Sequence, residues 1–218
     1  MKNILVLVEG QTEERFIKDV LAPHLWSRGK HPIPSVITTK RVKSGNDFTG
    51  GFTGYGKVEN DLRRLLQDTA AVSVTTFIDY YALPSDFPGM DSRPVDNPLG
   101  RVRHVEATWR KHVDHPRFRP YLMVHEFEAL LFSKPDELCN ALSQPQKLDK
   151  FKAIRDEFAS PEDINDSPIT APSKRIIGII PAYQKVVYGA LVSKRIGLEV
   201  LRNECPHFSE WLGWLESL

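Results

Sequence analysis

Residues 4–8 (Ile-Leu-Val-Leu-Val) form a continuous apolar run, the pattern of a strand buried on both faces of a parallel sheet. Glu9-Gly10-Gln11-Thr12 interrupts it, and Thr12 has the chemistry of a helix N-cap. From Glu13 onward Phe16, Ile17, Val20, Leu21 and Leu25 recur at helical spacing, so the chain opens strand, tight turn, helix. Residues 35–42 alternate and are β-branched, which predicts a second strand. Residues 44–56 carry five of the 13 glycines and read as a loop. Leu62, Leu65 and Leu66 mark a second helix, and residues 72–78 a third strand that ends at Asp79. The four prolines within residues 82–98 predict another loop. Val102, Val105, Trp109 and Val113 give a third helix, and residues 121–124 a fourth strand. His125-Glu126-Phe127-Glu128 and an apolar segment through Phe132 follow it. Beyond Lys134 only helical patterns remain. Val186, Val187, Ala190 and Leu191 define the apolar face of one helix, and Trp211, Trp214 and Leu215 a last helix packed by aromatics.

Strands alternating with helices imply an α/β fold, a Rossmann-like, mostly parallel four-stranded sheet flanked by helices. Residues 1–133 form this core and residues 134–218 a helical extension packed on it as one unit, a size well suited to a buried interior. A hydrophobic content of 41% and a charged content of 26% are those of an ordinary soluble protein. The net charge of +1 removes any global attraction to polyanions. A nucleic acid would have to be met locally, by Lys40, Arg41 and Lys43, by Lys174-Arg175 or by Lys194-Arg195. Each of these clusters also suits a plain solvated face. Cys139 and Cys205 form no CxxC and no disulfide framework. With neither a signal-peptide core nor a bilayer-length apolar run, a cytoplasmic protein without a membrane partner is expected.

The acids carry the chemistry. Ligands of open α/β sheets sit outside the carboxyl ends of the strands. Glu9 ends the first strand, Asp79 ends the third, and Glu126 and Glu128 follow the fourth. Glu13 lies one helical turn after Glu9 and can point back toward it. Carboxylates crowded together repel, so their convergence requires a cation. An oxygen-only ligand set favours Mg²⁺ or Mn²⁺, ions that polarise phosphoryl oxygens and activate water. The bland readings are a helix dipole for Glu13 and Glu14, turn chemistry for Asp79, and a solvent-facing position for Glu128.

Five separated motifs then point to a family. Val8-Glu9-Gly10-Gln11-Thr12-Glu13, the run from Phe77-Ile78-Asp79-Tyr80-Tyr81 into Leu83-Pro84-Ser85-Asp86-Phe87-Pro88-Gly89, His125-Glu126-Phe127-Glu128-Ala129-Leu130-Leu131-Phe132, Pro172-Ser173-Lys174-Arg175-Ile176 and Cys205-Pro206-His207-Phe208 resemble the DUF4276 family over nearly the whole chain. That family in turn resembles the Toprim superfamily of topoisomerases, primases and overcoming-lysogenization-defect nucleases. The resemblance implies a Toprim-like fold binding Mg²⁺, with Glu9 as its glutamate, Asp79 as the first aspartate of Asp-x-Asp and Glu13 as the second glutamate of the nuclease branch. The second aspartate falls at Tyr81, a poor Mg²⁺ ligand, which leaves Asp86 or Glu126 to replace it. The resemblance also implies a late catalytic lysine, for which Lys174 is the candidate. An ATPase partner and a role in an anti-phage module complete what it implies.

Other motifs lend less. Residues 51–57 fit GxxxxGK, but Val58 stands where a P-loop needs Ser or Thr. A loop over the substrate, or a plain surface loop, suits them better. His104, His112 and His115 lack the i, i+4 ligand pair, and no Gly-x-Ser-x-Gly occurs. The expectation is therefore a Mg²⁺- or Mn²⁺-dependent nuclease, or a related phosphoryl-transfer enzyme, acting on DNA or RNA. Glu9, Glu13, Asp79, Glu126 and Glu128 would hold the metal. The alternative is a non-catalytic adaptor or sensor of an ATPase complex, for which Tyr81 in place of an acid speaks.

Overall fold

β1 (Lys2–Val8) organises the molecule by sending its side chains into two separate cores. Ile4, Val6 and Val8 join one apolar cluster, while Leu5 and Leu7 join the other. A strand covered on both faces has no place for alternating polar residues, which is why its sequence is a continuous apolar run. The computed structural model describes residues 1–37, 54–81, 83–165 and 169–218.

β2 (Lys30–Val36) and β3 (Ala71–Asp79) flank β1, and β3 pairs in turn with β4 (Phe118–Arg119) and β5 (Leu122–Met123). The order is β2-β1-β3-β4 with β5 also beside β3, and all these pairings are parallel. The chain is thus α/β, with the mostly parallel, helix-flanked sheet expected. Two strands differ from their sequence reading. β2 starts at Lys30, ahead of residue 35, and runs through Pro32 and Pro34. It is an edge strand, and Ile37 donates its N–H to the Val8 carbonyl at 2.9 Å. Odd positions therefore face β1, and the two prolines turn their donor-less nitrogens outward. Residues 38–42 of the expected strand lie outside the described residues, as do Lys40, Arg41, Lys43 and residues 44–53 of the expected loop. The fourth strand is split at Pro120. There the Thr76 hydroxyl substitutes for the ladder, accepting from Tyr121 N–H at 2.9 Å and donating to its carbonyl at 2.8 Å.

α1 (Gln11–Phe16), a π-helical turn (Ile17–Leu21) and α2 (Ala22–Trp26) lie on the face of Ile4, Val6 and Val8. α3 (Tyr55–Gln67) and α4 (Pro98–Val113) cover the opposite face. A 3₁₀ segment (Phe127–Ser133) leads to α5 (Pro135–Ala141), α6 (Leu148–Asp156), α7 (Pro172–Ile179), α8 (Lys185–Ile196), α9 (Leu198–Glu204) and α10 (Pro206–Ser217). Trp211 of α10 stacks on Phe77 and Tyr121, with ring centroids 5.3 and 4.6 Å away, and donates to Thr75 Oγ1. None of the described helices is long and apolar enough to cross a membrane.

Two helix details correct the sequence reading. Gly10, not Thr12, precedes α1, and Thr12 is buried under α8. On α8, Val186, Val187 and Leu191 are exposed, while Gly189, Ala190, Val192, Ser193 and Ile196 are buried. Close approach outweighs side-chain size here, since a Cβ on Gly189 would stand 2.6 Å from Thr12 Cγ2 and 3.0 Å from the Phe127 ring. Gly189→Val is expected to cost about 1–3 kcal/mol by overpacking. Trp211→Ala is expected to cost about 3–5 kcal/mol, both read from urea unfolding.

Candidate functional site

Between β1 and β3 the sheet changes winding direction. The chain leaves β1 toward β2 and returns across it to β3, with α1 on one face and α3 on the other. Such a switch point opens a crevice at the carboxyl ends of the two strands. Register sets Val8 opposite Phe77, so Glu9 leaves β1 level with the end of β3. Asp79 shares the strand face of Phe77 and Thr75, the face packed by the helical extension, and so points toward α8.

The carboxylates of Asp79, Glu13 and Glu128 meet around one ammonium, that of Lys185. Its Nζ lies 3.1 Å from Asp79 Oδ2, 3.3 Å from Glu128 Oε2 and 3.4 Å from Glu13 Oε1. Only the Asp79 contact has hydrogen-bond geometry; Glu13 Oε1 and Glu128 Oε2 are buried, within ion-pair range, and accept no hydrogen bond. Glu9 Oε2 is buried and unpartnered as well. The other oxygens are held in place. Asp79 Oδ1 accepts the Phe127 N–H at 2.8 Å, and Glu128 Oε1 accepts the Tyr183 hydroxyl at 3.2 Å. Glu126 accepts both the backbone N–H and, at 3.1 Å, the hydroxyl of Ser173.

The turn into the 3₁₀ segment makes this geometry. His125 has φ of 70°, a left-handed conformation that costs an L-residue about 1–2 kcal/mol. Its carbonyl accepts the Tyr81 N–H at 2.9 Å, and the reversal aims the Phe127 N–H at Asp79. Strain of this kind gathers at functional sites.

The electrostatics follow from crowding. Burial first, then the charges of Asp79 and Glu13, push Glu9 up to about 8. Burial likewise raises Glu128 to about 7, against the pull of Lys185 and with Glu126, Asp79 and Glu13 adding to the rise. Glu13 and Glu126 are raised by burial too, opposed by Lys185 and by the Ser173 hydrogen bonds respectively. Burial works against the Lys185 charge, but Asp79, Glu128, Glu13 and Glu9 together hold the ammonium well above the usual lysine range.

All five expected carboxylates thus occupy this crevice or its wall. Among the described residues no three His, Cys, Asp or Glu side chains bracket a metal ion as they stand, and Lys185 holds the position between them. Lys174 is exposed on α7 and takes part in none of these ion pairs. Tyr81 is exposed. Asp86 caps α3 instead, both of its oxygens 3.1 Å from the Tyr55 N–H. The histidines are apart: His104 contacts Ser92, His112 meets the Tyr55 ring edge, and His115 accepts from Arg117 N–H.

Sequence reading missed Lys185, Tyr183 and Ser173. A signal for Lys185 exists. It is the first residue of α8, where a cation opposes the helix dipole and calls for a partner elsewhere.

Glu9 and Glu128 hold protons more tightly folded than unfolded. The stability they contribute is full below the ordinary carboxylate range and is lost as pH rises through about 7 and about 8. The thermal midpoint is expected to fall between about pH 5 and 9, and Glu9→Gln to flatten that fall and raise the midpoint at the alkaline end. Equal slopes for the two proteins in a pH series of melting curves would show that Glu9 is not in this environment.

No curated protein and no solved structure matches the chain. Residues 8–216 match the family described as a domain of unknown function, DUF4276. From the last residue of β1 to the last turn of α10, the chain belongs to the DUF4276 family.

Proposed function

We propose that this chain is a divalent-metal-dependent nuclease or a related phosphoryl-transfer enzyme with a Toprim-like core, acting on DNA or RNA. One observation carries the reading: three buried carboxylate oxygens, Glu9 Oε2, Glu13 Oε1 and Glu128 Oε2, lack a hydrogen bond at the switch point of a parallel sheet. Desolvated carboxylate oxygens left in this state suit a hard cation with oxygen ligands, Mg²⁺ or Mn²⁺. Glu9, Glu13 and Asp79 would hold it, joined by Glu128, with Glu126 at the wall. Such an ion polarises a phosphoryl oxygen and lowers the pKa of bound water.

The protein's own part is positioning. The Phe127 N–H fixes the rotamer of Asp79, Tyr183 orients Glu128, and Ser173 locks Glu126. Next to Ser173, exposed Lys174 lies in the first turn of α7, with Arg175 following it, a local positive charge for a polyanion. In this reading Glu126 takes the place of the aspartate absent at Tyr81, since Asp86 is engaged at the start of α3. A cytoplasmic location, an ATPase partner and an anti-phage setting belong to the same proposal and rest on the family resemblance.

The second reading, a metal-free adaptor or sensor in an ATPase complex, is favoured by Lys185, which neutralises the acids without an ion. Cleavage of single- and double-stranded DNA and RNA by the purified chain with Mg²⁺ or Mn²⁺ separates the two. Glu9→Gln and Asp79→Asn are each expected to lower the rate at least about a hundredfold with the fold intact by circular dichroism. Cleavage that survives both substitutions defeats the assignment, and failure of the wild-type chain to bind either ion favours the adaptor.

A further inference from the structure

We propose that Lys185 is a tethered counter-ion that occupies the cation position of the carboxylate cluster and is displaced when a divalent ion enters. The inference rests on the metal-dependent reading above and deepens it.

The geometry supports it in three ways. Nζ stands 3.1–3.4 Å from carboxylates on three separate elements, β3, α1 and the 3₁₀ segment, so it sits where their fields add. Mg²⁺–oxygen bonds are about 2.1 Å, so the same oxygens must close in by about 1 Å once the larger ammonium departs. Two of the oxygens that face Nζ, Glu13 Oε1 and Glu128 Oε2, are buried without a hydrogen bond and would gain a partner by that contraction.

The lysine is also built to leave. Its side chain as a whole is 36% exposed, although its ammonium is buried among the acids, whereas Glu13 and Glu128 are at 3% and 0%. The stem can swing into solvent without moving its helix. The helix itself is pinned: Arg15 donates to the Val186 carbonyl at 3.0 Å, and Gly189 is pressed against Thr12 and Phe127. Displacement is therefore a side-chain event. An ammonium and a divalent ion cannot share this space, because like charges at such separations repel strongly even at an intermediate dielectric.

The test measures Mn²⁺ affinity by isothermal titration for the wild-type chain, Lys185→Met and Lys185→Arg. Lys185→Met is expected to bind Mn²⁺ at least about tenfold more tightly than wild type, and Lys185→Arg no more tightly. Equal affinity for wild type and Lys185→Met, or weaker binding by Lys185→Met, overturns the displacement while leaving the metal site standing. Absence of Mn²⁺ binding by the wild type and by both variants overturns the metal-dependent reading together with it. A second measurement needs no variant. Acylation of Lys185 in the wild-type chain, followed by peptide mass spectrometry, should be slow in chelator and several-fold faster in saturating Mn²⁺. Unchanged labelling while Mn²⁺ is bound overturns the proposal even if the variants do not fold.

Discussion

Carboxylates withdrawn from water into one crevice repel one another, and each pays a desolvation cost that only an opposite charge can offset. Everything about the upper end of this sheet answers that constraint. β1 and β3 must deliver Glu9 and Asp79 side by side, because the switch in winding direction leaves both strand ends open at the same place. α1 adds Glu13 one turn on, and the 3₁₀ segment adds Glu128 from the far wall. No arrangement of these elements is stable with all the acids ionised and alone. Partial protonation of Glu9 and Glu128 and the ammonium of Lys185 share the compensation.

That need explains why the helical extension is joined so closely to the α/β core. Trp211 stacks on Phe77, the residue two before Asp79, so the same strand face carries core packing and the Asp79 carboxylate. Gly189 lets α8 lie directly on α1, which brings Lys185 within reach of Glu13. Ser173 of α7 and Tyr183, just before α8, each hold one acid. The cluster is therefore assembled from residues on both sides of position 134, and one apolar cluster runs continuously through both parts.

How much of this is legible in the sequence depends on the range of the interaction. Short apolar runs report burial on two faces, so β1, β3 and the α/β class are readable from periodicity. The acids at strand ends are readable because fold class fixes where ligands sit. Alternation marks residues 35–42, whereas β2 begins at Lys30, and only an edge position makes Pro32 and Pro34 tolerable in a strand. Hydrophobicity points to the wrong face of α8, because Val186, Val187 and Leu191 outscore a glycine in any hydrophobic count, while contact distance selects Gly189. Lys185 escaped for a related reason. Its significance lies in what it touches 106 residues back along the chain, at Asp79, and no local pattern encodes that.

The fold supplies its own standard for a buried acid with a purely structural task. Glu162 is also desolvated, and its two oxygens accept the backbone N–H groups of His207 and Phe208 at 2.8 and 3.0 Å, capping α10. Glu126 is tied through both oxygens to Ser173. Both acids have each carboxylate oxygen hydrogen-bonded. Glu9, Glu13 and Glu128 each keep one buried oxygen without a hydrogen bond. Leaving an acceptor unsatisfied in a buried site costs about 1–3 kcal/mol, which the ammonium of Lys185 offsets in part at Glu13 and Glu128. That contrast supports the proposed cation site over the adaptor reading, with Lys185 as the charge that offsets the acids in the folded chain.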